Sequence, residues 1–443
     1  MAADGNLELR FPDGFRWGVA TSSHQCEGAA GRPSSTWARW EALGYVKGGN
    51  RSGIACDWWE NAERDFDLAQ GLNLTALRMT VDWARVEPRI GRFDDAALAR
   101  YSQMVVALRE RGIEPMVTLH HFDHPVWFED LGGFADDGSV AVFLRFARRA
   151  LDALGDVCSE WVTFNEPNVY ATAGYVLGAF PPGRRGDTRA AIRVQANMAR
   201  AHAAAYRLIH ERVPGAFVSW VQHLLTFEPY RPGHAGDRWT AGLSDRMFNA
   251  PFLELARDGR TSGPPGLRID VPEMKGACDF VGLNLYGRRR ARFSVREWRS
   301  AFNALAPPPA DARRGDPGAE EKFGEPWPQG ITAFVERFAD LGKPFLVTEN
   351  GYADALDRVR PWVIVEAARR MHDLIARGFD LRGYHHWTLV DNFEWDAGWD
   401  LRFGLYELNV ATQERLPRPS AALYGASARE NALTTEMLEQ AGD

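Results

Sequence analysis

Short apolar runs alternate with helical stretches along this chain from end to end. Apolar runs, several of them rich in Val, Phe and Leu, occur at Phe15–Thr21, Leu74–Thr80, Glu114–His120, Trp161–Asn165, Phe217–Gln222, Phe280–Asn284, Phe345–Glu349 and Tyr384–Leu389. Several lack the strict apolar–polar alternation of a half-exposed strand, as strands buried on both faces do. Between them apolar residues recur at helical spacing, as at Leu98, Tyr101, Val105 and Leu108, or at Ile364, Ala368, Met371 and Ile375. Each set gives a helix one stripe to lay on a sheet. Gly112 and Gly378 follow these two stretches and mark their C-terminal ends. About eight such βα units in series predict an α/β fold, a single (β/α)8 TIM barrel with extended βα loops spanning 1–443 as one domain. A chain of 443 residues lies within the range such barrels reach once their loops carry insertions.

In a parallel barrel every strand ends on the same face. Those ends carry Gln25 just beyond the first strand, then Arg78, His120 with His121, Asn165 with Glu166, His223, Asn284 with Tyr286, Glu349 and Trp387. Polar and aromatic groups scattered over the chain are thus expected to converge on one mouth. Glu166 sits in Thr163-Phe-Asn-Glu-Pro-Asn168 and Glu349 in Val347-Thr-Glu-Asn-Gly351, each closing an apolar strand. Cleavage of a glycosidic bond needs a protonated acid for the leaving oxygen and a carboxylate facing the anomeric carbon, because the transition state resembles an oxocarbenium ion. One glutamate at a strand end is equally a salt bridge or a helix cap. Two on one rim supply both groups.

Both peptides resemble the paired active-site motifs of glycoside hydrolase family 1, the β-glucosidase family. Further matches follow in the family's order: Phe15-Arg-Trp-Gly-Val-Ala-Thr21 with Gln25-Cys-Glu-Gly28; Leu77-Arg-Met79, Trp83, Arg85 and Pro88; Thr118-Leu-His-His-Phe-Asp123; Asp279-Phe-Val-Gly-Leu-Asn-Leu-Tyr286; Gly383-Tyr-His-His-Trp-Thr-Leu-Val-Asp-Asn-Phe-Glu-Trp395; and Arg402-Phe-Gly404. The resemblance implies a retaining β-glycosidase that removes a terminal neutral sugar, with Glu166 as acid/base, Glu349 as nucleophile, and carboxyl groups about 5–5.5 Å apart. An anionic Glu349 would hold a proton on Glu166 by like-charge repulsion, and esterification of Glu349 would release it. Arg78 and the Tyr286 hydroxyl resemble the partners of the nucleophile. Gln25, His121, Asn165, Asn284, Glu394, Trp395 and Phe403 look like the sugar-contact set, with Trp387 as the stacking floor. His120 reads as structural. The Glu394 carboxylate, expected near the sugar's 6-oxygen, speaks against phosphorylated sugars.

Three departures from the family pattern bear on specificity. Asp57-Trp58-Trp59 stands where the family usually has Asp-His-Tyr, and His121 is followed by Phe122 where an indole donor is usual. Gly324 occupies the position where many members carry an aglycone tryptophan, with Trp327 nearby in sequence but out of register. Glucose, galactose and fucose all stay open as the glycone, and hydrolysis stays open against transfer to an acceptor at the same intermediate. A sugar-binding scaffold without catalysis is disfavoured by the intact Glu166, Glu349, Arg78 and Tyr286.

Composition narrows the partners. Lys and Arg total 52 against 59 Asp and Glu, so the formal charge of −7 gives no broad attraction to nucleic acid or an anionic membrane. A small β-glycoside is the expected partner; assembly into a homo-oligomer stays open. Sixteen tryptophans are only a weak pointer to sugars, since most indoles are packing residues. Cys26, Cys56, Cys158 and Cys278 show no metal spacing and read as free thiols; Met1–Arg10 is polar, and a cytoplasmic address is the default. Neither metal nor cofactor is expected. The segment Gly287–Glu325, with Arg288, Arg289, Arg290, Arg292 and Pro307–Pro309, reads as a long solvated loop at the mouth. As such it could gate the aglycone side or meet an anionic partner.

Overall fold

The computed structural model describes residues 8–263, 267–300 and 303–440. Residues 1–7 of the polar N-terminal segment and 301–302 of the Gly287–Glu325 segment lie outside them. Eight strands follow in order: β1 (Arg16–Ala20), β2 (Ala76–Thr80), β3 (Glu114–His120), β4 (Glu160–Asn165), β5 (Phe217–Pro229), β6 (Val281–Phe293), β7 (Phe345–Asn350) and β8 (Leu381–His386). Each pairs in parallel with the next, and β8 pairs with β1, which closes the sheet into a barrel. Closure leaves no edge among these strands.

Every expected run contributes one strand. Inside the barrel Met116, Val162, Val221, Phe280 and Leu346 form a small cluster of their own. They come from or adjoin five different strands, and such residues can touch one another only within the barrel. Outside, the helix Asp95–Glu110 buries Leu98, Tyr101, Val105 and Leu108, and the Asp94 side chain caps it by accepting from the backbone N–H of Ala96 and Ala97 at 2.9 and 3.0 Å. The helix Arg360–Ala376 buries Ile364, Ala368 and Met371 in the same way. All four cysteines are unpaired and buried. Among the described residues no helix is long and apolar enough to cross a membrane.

The segment after the sixth strand departs from expectation. Gly287–Phe293 is not loop but the outer half of β6, which pairs with Thr226–Pro229 of β5 beyond the barrel rim. Asn303–Ala306 and Glu325–Pro326 add to it antiparallel. Two of the arginines that suggested a solvated loop are engaged: Arg288 pairs with Glu228 and Glu325 and lies 3.4 Å from the centre of the Trp327 ring, while Arg289 donates to the carbonyl of Glu321 at 2.7 Å. A charged run looks like loop until its partners, remote in sequence, are in place.

Candidate active site

The C-terminal ends of the strands meet as expected. Glu349 is the last residue but one of β7, with Asn284 of β6 opposite it in register; His223 of β5 is Asn284's other neighbour. Glu166 follows β4 directly and anchors there through its backbone N–H to the Val221 carbonyl at 2.9 Å. Proline at 167 opens the helix Pro167–Ala171 and disfavours helical geometry at the residue before it. Glu166 adopts φ 46° and ψ 61° instead, a conformation rarely seen outside glycine and asparagine. Phe122 and Trp395 also have positive φ, 64° and 49°, so three side chains at this mouth are held in strained backbone. Gly351 lets β7 and β8 converge, because a Cβ there would stand 2.1 Å from the Trp387 carbonyl oxygen.

Contacts link ten of the twelve expected residues around Glu166 and Glu349, and Gln25 pairs with Glu394 beside them. The guanidinium of Arg78 donates to Glu349 Oε1, and through its other terminal nitrogen to Asn165 Oδ1 at 3.0 Å. The Tyr286 hydroxyl donates to Glu349 Oε2. The Asn284 amide donates to Glu166 Oε1 at 2.8 Å and to Asn165 Oδ1 at 3.2 Å, and is itself oriented by the Thr348 hydroxyl, which donates to its carbonyl oxygen at 2.7 Å. Because Asn165 Oδ1 serves these two donors, its amide nitrogen must face His121 Nε2, at 3.0 Å. His121 therefore accepts at Nε2 and carries its proton on Nδ1, which finds no partner among the described residues. The imidazole is neutral, since burial, and after it the charge of Arg78, push its pKa well down.

A second limb carries the remaining residues. The Gln25 amide donates to Glu394 Oε2 at 3.0 Å and to Asn392 at 3.2 Å, while its oxygen accepts from Ser22 at 2.7 Å. The His121 ring stacks near Trp395 at 5.8 Å and faces Trp387 at 6.0 Å. Phe403 meets the edge of Tyr286 at 5.9 Å. His120, read as structural, is buried and bonds His124 at 3.2 Å.

The electrostatics of the pair are set by burial. Glu166, Glu349 and Arg78 are 5%, 3% and 0% exposed. Glu349 is pushed up to about 8, burial first and then the charge of Glu166 raising it against the downward pull of Arg78 and the Tyr286 bond. The sequence directs the repulsion at Glu166, whereas in the structure it is Glu349 that is raised, with the charge of Glu166 among the causes. Tyr286 itself is pushed well above its ordinary range by burial and then by Glu349, so it stays a donor.

Residues absent from the expected set also enter. His223 Nδ1 stands 3.5 Å from Glu166 Oε1, and its place at a strand end was the available signal. Asn392 lies inside a recognised motif but carried no role. Lys322, which bonds Glu394, lies in the segment read as loop, where nothing distinguishes it from its charged neighbours. Among the described residues no group of three or more His, Cys, Asp or Glu side chains could hold a metal ion.

Comparison with known proteins identifies the family and a shared fold. The family model described as "Glycosyl hydrolase family 1" matches residues 7–433. "Beta-glucosidase A" of Thermotoga maritima is 30% identical over 96% of this chain and 99% of its own length, and a "Beta-galactosidase" of Sulfolobus acidocaldarius is 28% identical over 97% of each. The solved "beta-glycosidase from Pyrococcus horikoshii" superposes with a TM-score of 0.89 at 32% identity, covering 99% of both chains. The Thermotoga maritima family 1 β-glucosidase "in complex with isofagomine lactam" gives 0.88 at 30% identity, covering 96% of this chain and all (100%) of that one.

Proposed function

This chain belongs to glycosyl hydrolase family 1 and is a β-glycoside hydrolase, and from that premise we propose that Glu349 is its nucleophile and Glu166 its acid/base. The observation that carries the assignment is the paired donation of Arg78 and Tyr286 to the two oxygens of Glu349. Two donors aimed at one carboxylate favour its ionised form against the burial that raises its pKa, and the reactive state is the one in which Glu349 is ionised and Glu166 carries the proton it donates.

Glu349 then attacks the anomeric carbon and forms a glycosyl ester, while Glu166 protonates the departing glycosidic oxygen. Esterification removes the charge opposite Glu166. As a carboxylate, Glu166 takes a proton from the incoming water, whose oxygen displaces Glu349 and restores the β configuration. Direct attack requires carboxyl groups about 5–5.5 Å apart. In support, Arg78 reaches from Glu349 to Asn165, and Asn284 reaches from Asn165 to Glu166.

Sugar contacts follow from donor and acceptor chemistry. Asn165, beside Glu166, is assigned the hydroxyl next to the reacting carbon, and His121 offers its free Nδ1–H. Glu394 and Gln25 are assigned the far end, C4 and C6, with Trp387 as floor and Trp395, Asn284 and Phe403 completing the wall. Phe122 supplies no indole donor, which loosens selection at one hydroxyl; small β-glucosides are the proposed substrates, with β-galactosides and β-fucosides admitted. The reading takes the chain as one barrel domain with a cytoplasmic address, consistent with four unpaired buried cysteines, and needs neither nucleic acid nor membrane.

Replacing Glu349 with Gly tests it. Hydrolysis should be lost, and azide should restore turnover by occupying the vacated space and yielding the α-glycosyl azide. Normal hydrolysis indifferent to azide removes the assignment.

A further inference from the structure

One cation near the sugar pocket comes from outside the barrel strands. Lys322 lies on the short helix Ala319–Phe323, in the connection from β6 to β7. Its ammonium stands 2.8 Å from Asp396 Oδ1, 3.3 Å from Glu394 Oε1 and 3.3 Å from the Glu394 carbonyl oxygen. The rings of Phe323 and Phe180 lie 5.7 and 6.0 Å away, and the side chain is only 23% exposed.

Local structure explains how it gets there. The helix stops at Gly324, whose φ of +77° suits only a residue without a side chain, and a Cβ at that point would stand 2.2 Å from the Arg288 carbonyl oxygen. The Tyr352 hydroxyl fixes the turn by donating to the Gly324 carbonyl at 2.6 Å. Phe323 packs on Tyr286 at 5.1 Å and on Phe403 at 5.2 Å. The helix that delivers Lys322 is therefore seated on the residue that donates to Glu349.

A purely structural ion pair is met by Asp396 alone. Glu394 already receives Gln25 on Oε2, and its two contacts with Lys322 are long. A carboxylate can only accept, whereas a hydroxyl that donates to it also needs a donor for its own oxygen. The Lys322 ammonium is placed to be that donor. It does not invite an anionic sugar, because Glu394 and Asp396 together outnumber it.

We propose that Lys322 is a specificity-determining residue that donates to the glycone's 6-hydroxyl while Glu394 accepts from it. The proposal rests on the assignment of Glu394 to the C6 end made above.

The test compares the parent, Lys322→Met, Lys322→Gln and Lys322→Arg on 4-nitrophenyl β-glucoside and on the β-xyloside, which is the same sugar without its C6 hydroxymethyl group. Loss of a bond between a charged donor and a hydroxyl should lower kcat/KM of Lys322→Met on the glucoside by about tenfold to a hundredfold, chiefly through KM. The xyloside should lose less than about threefold, which also reports that the variant is folded. Gln should fall between Met and the parent, and Arg should recover part of the loss. Equal losses on both sugars, or none on the glucoside, overturn the role of Lys322 and leave the glycosidase reading standing. A parent that hydrolyses neither sugar overturns both.

Discussion

Tyr286→Phe removes one hydroxyl and leaves the ring, so its effect can be worked from the geometry. Tyr286 and Glu349 are 5% and 3% exposed, and the hydroxyl donates to Glu349 Oε2. The ring contacts with Phe323, His223 and Phe403, at 5.1, 5.5 and 5.9 Å, survive the substitution. A hydrogen bond to a charged, buried group contributes about 1.5–3 kcal/mol, so kcat/KM should fall about tenfold to 150-fold. The pH dependence separates this loss from a general disturbance. Burial and Glu166 hold Glu349 up at about 8, and the Tyr286 bond pulls it down. Without that bond the pKa rises further, and a smaller fraction of enzyme carries the ionised nucleophile at any pH below it. The deficit should be full below about 8 and shrink as the pH rises through the shifted value. Stopped-flow rates on 2,4-dinitrophenyl β-glucoside, whose leaving group needs no acid, isolate the nucleophile. A loss under about threefold, or one that is the same at every pH, refutes the reasoning.

Other predictions follow from the same contacts. Glu166→Ala should cost alkyl glucosides or cellobiose far more than dinitrophenyl glucosides, because only the poor leaving groups require a proton; equal losses count against an acid. Gly324→Ala should lower Tm, because a Cβ at φ +77° meets a carbonyl oxygen at 2.2 Å; the strain costs upward of about 1 kcal/mol, and an unchanged melting curve contradicts it. Asn284→Ala should lower kcat/KM by about tenfold, since its amide ties Glu166 to Asn165 at 2.8 and 3.2 Å; a change below about twofold shows that neither residue needs that tie.

The barrel was legible because its strands are buried on both faces and read as apolar runs of nearly the right length, β3 with both its ends. The outer halves of β5 and β6 were not, because Arg288 looks like loop until Glu228 and Glu325 stand beside it. Strand-end residues were legible as a site since the topology of a parallel barrel gathers them without further information. Lys322 escaped for the opposite reason: its position depends on a turn at Gly324 and on packing against Tyr286, neither of which has a local signal. The upward push on Glu349 was equally hidden, since it comes first from burial and only then from its charged neighbours.

The central claim is a covalent bond between Glu349 and the sugar. Incubating the enzyme with 2,4-dinitrophenyl 2-deoxy-2-fluoro-β-glucoside slows the second step more than the arrival of the first, and mass spectrometry of the digested protein then locates the trapped sugar. The account predicts one fluoroglucosyl group on the peptide containing Val347–Gly351, at Glu349, and its release on transfer to a good acceptor. A label on Glu166 or another residue, or steady turnover without any adduct, contradicts it.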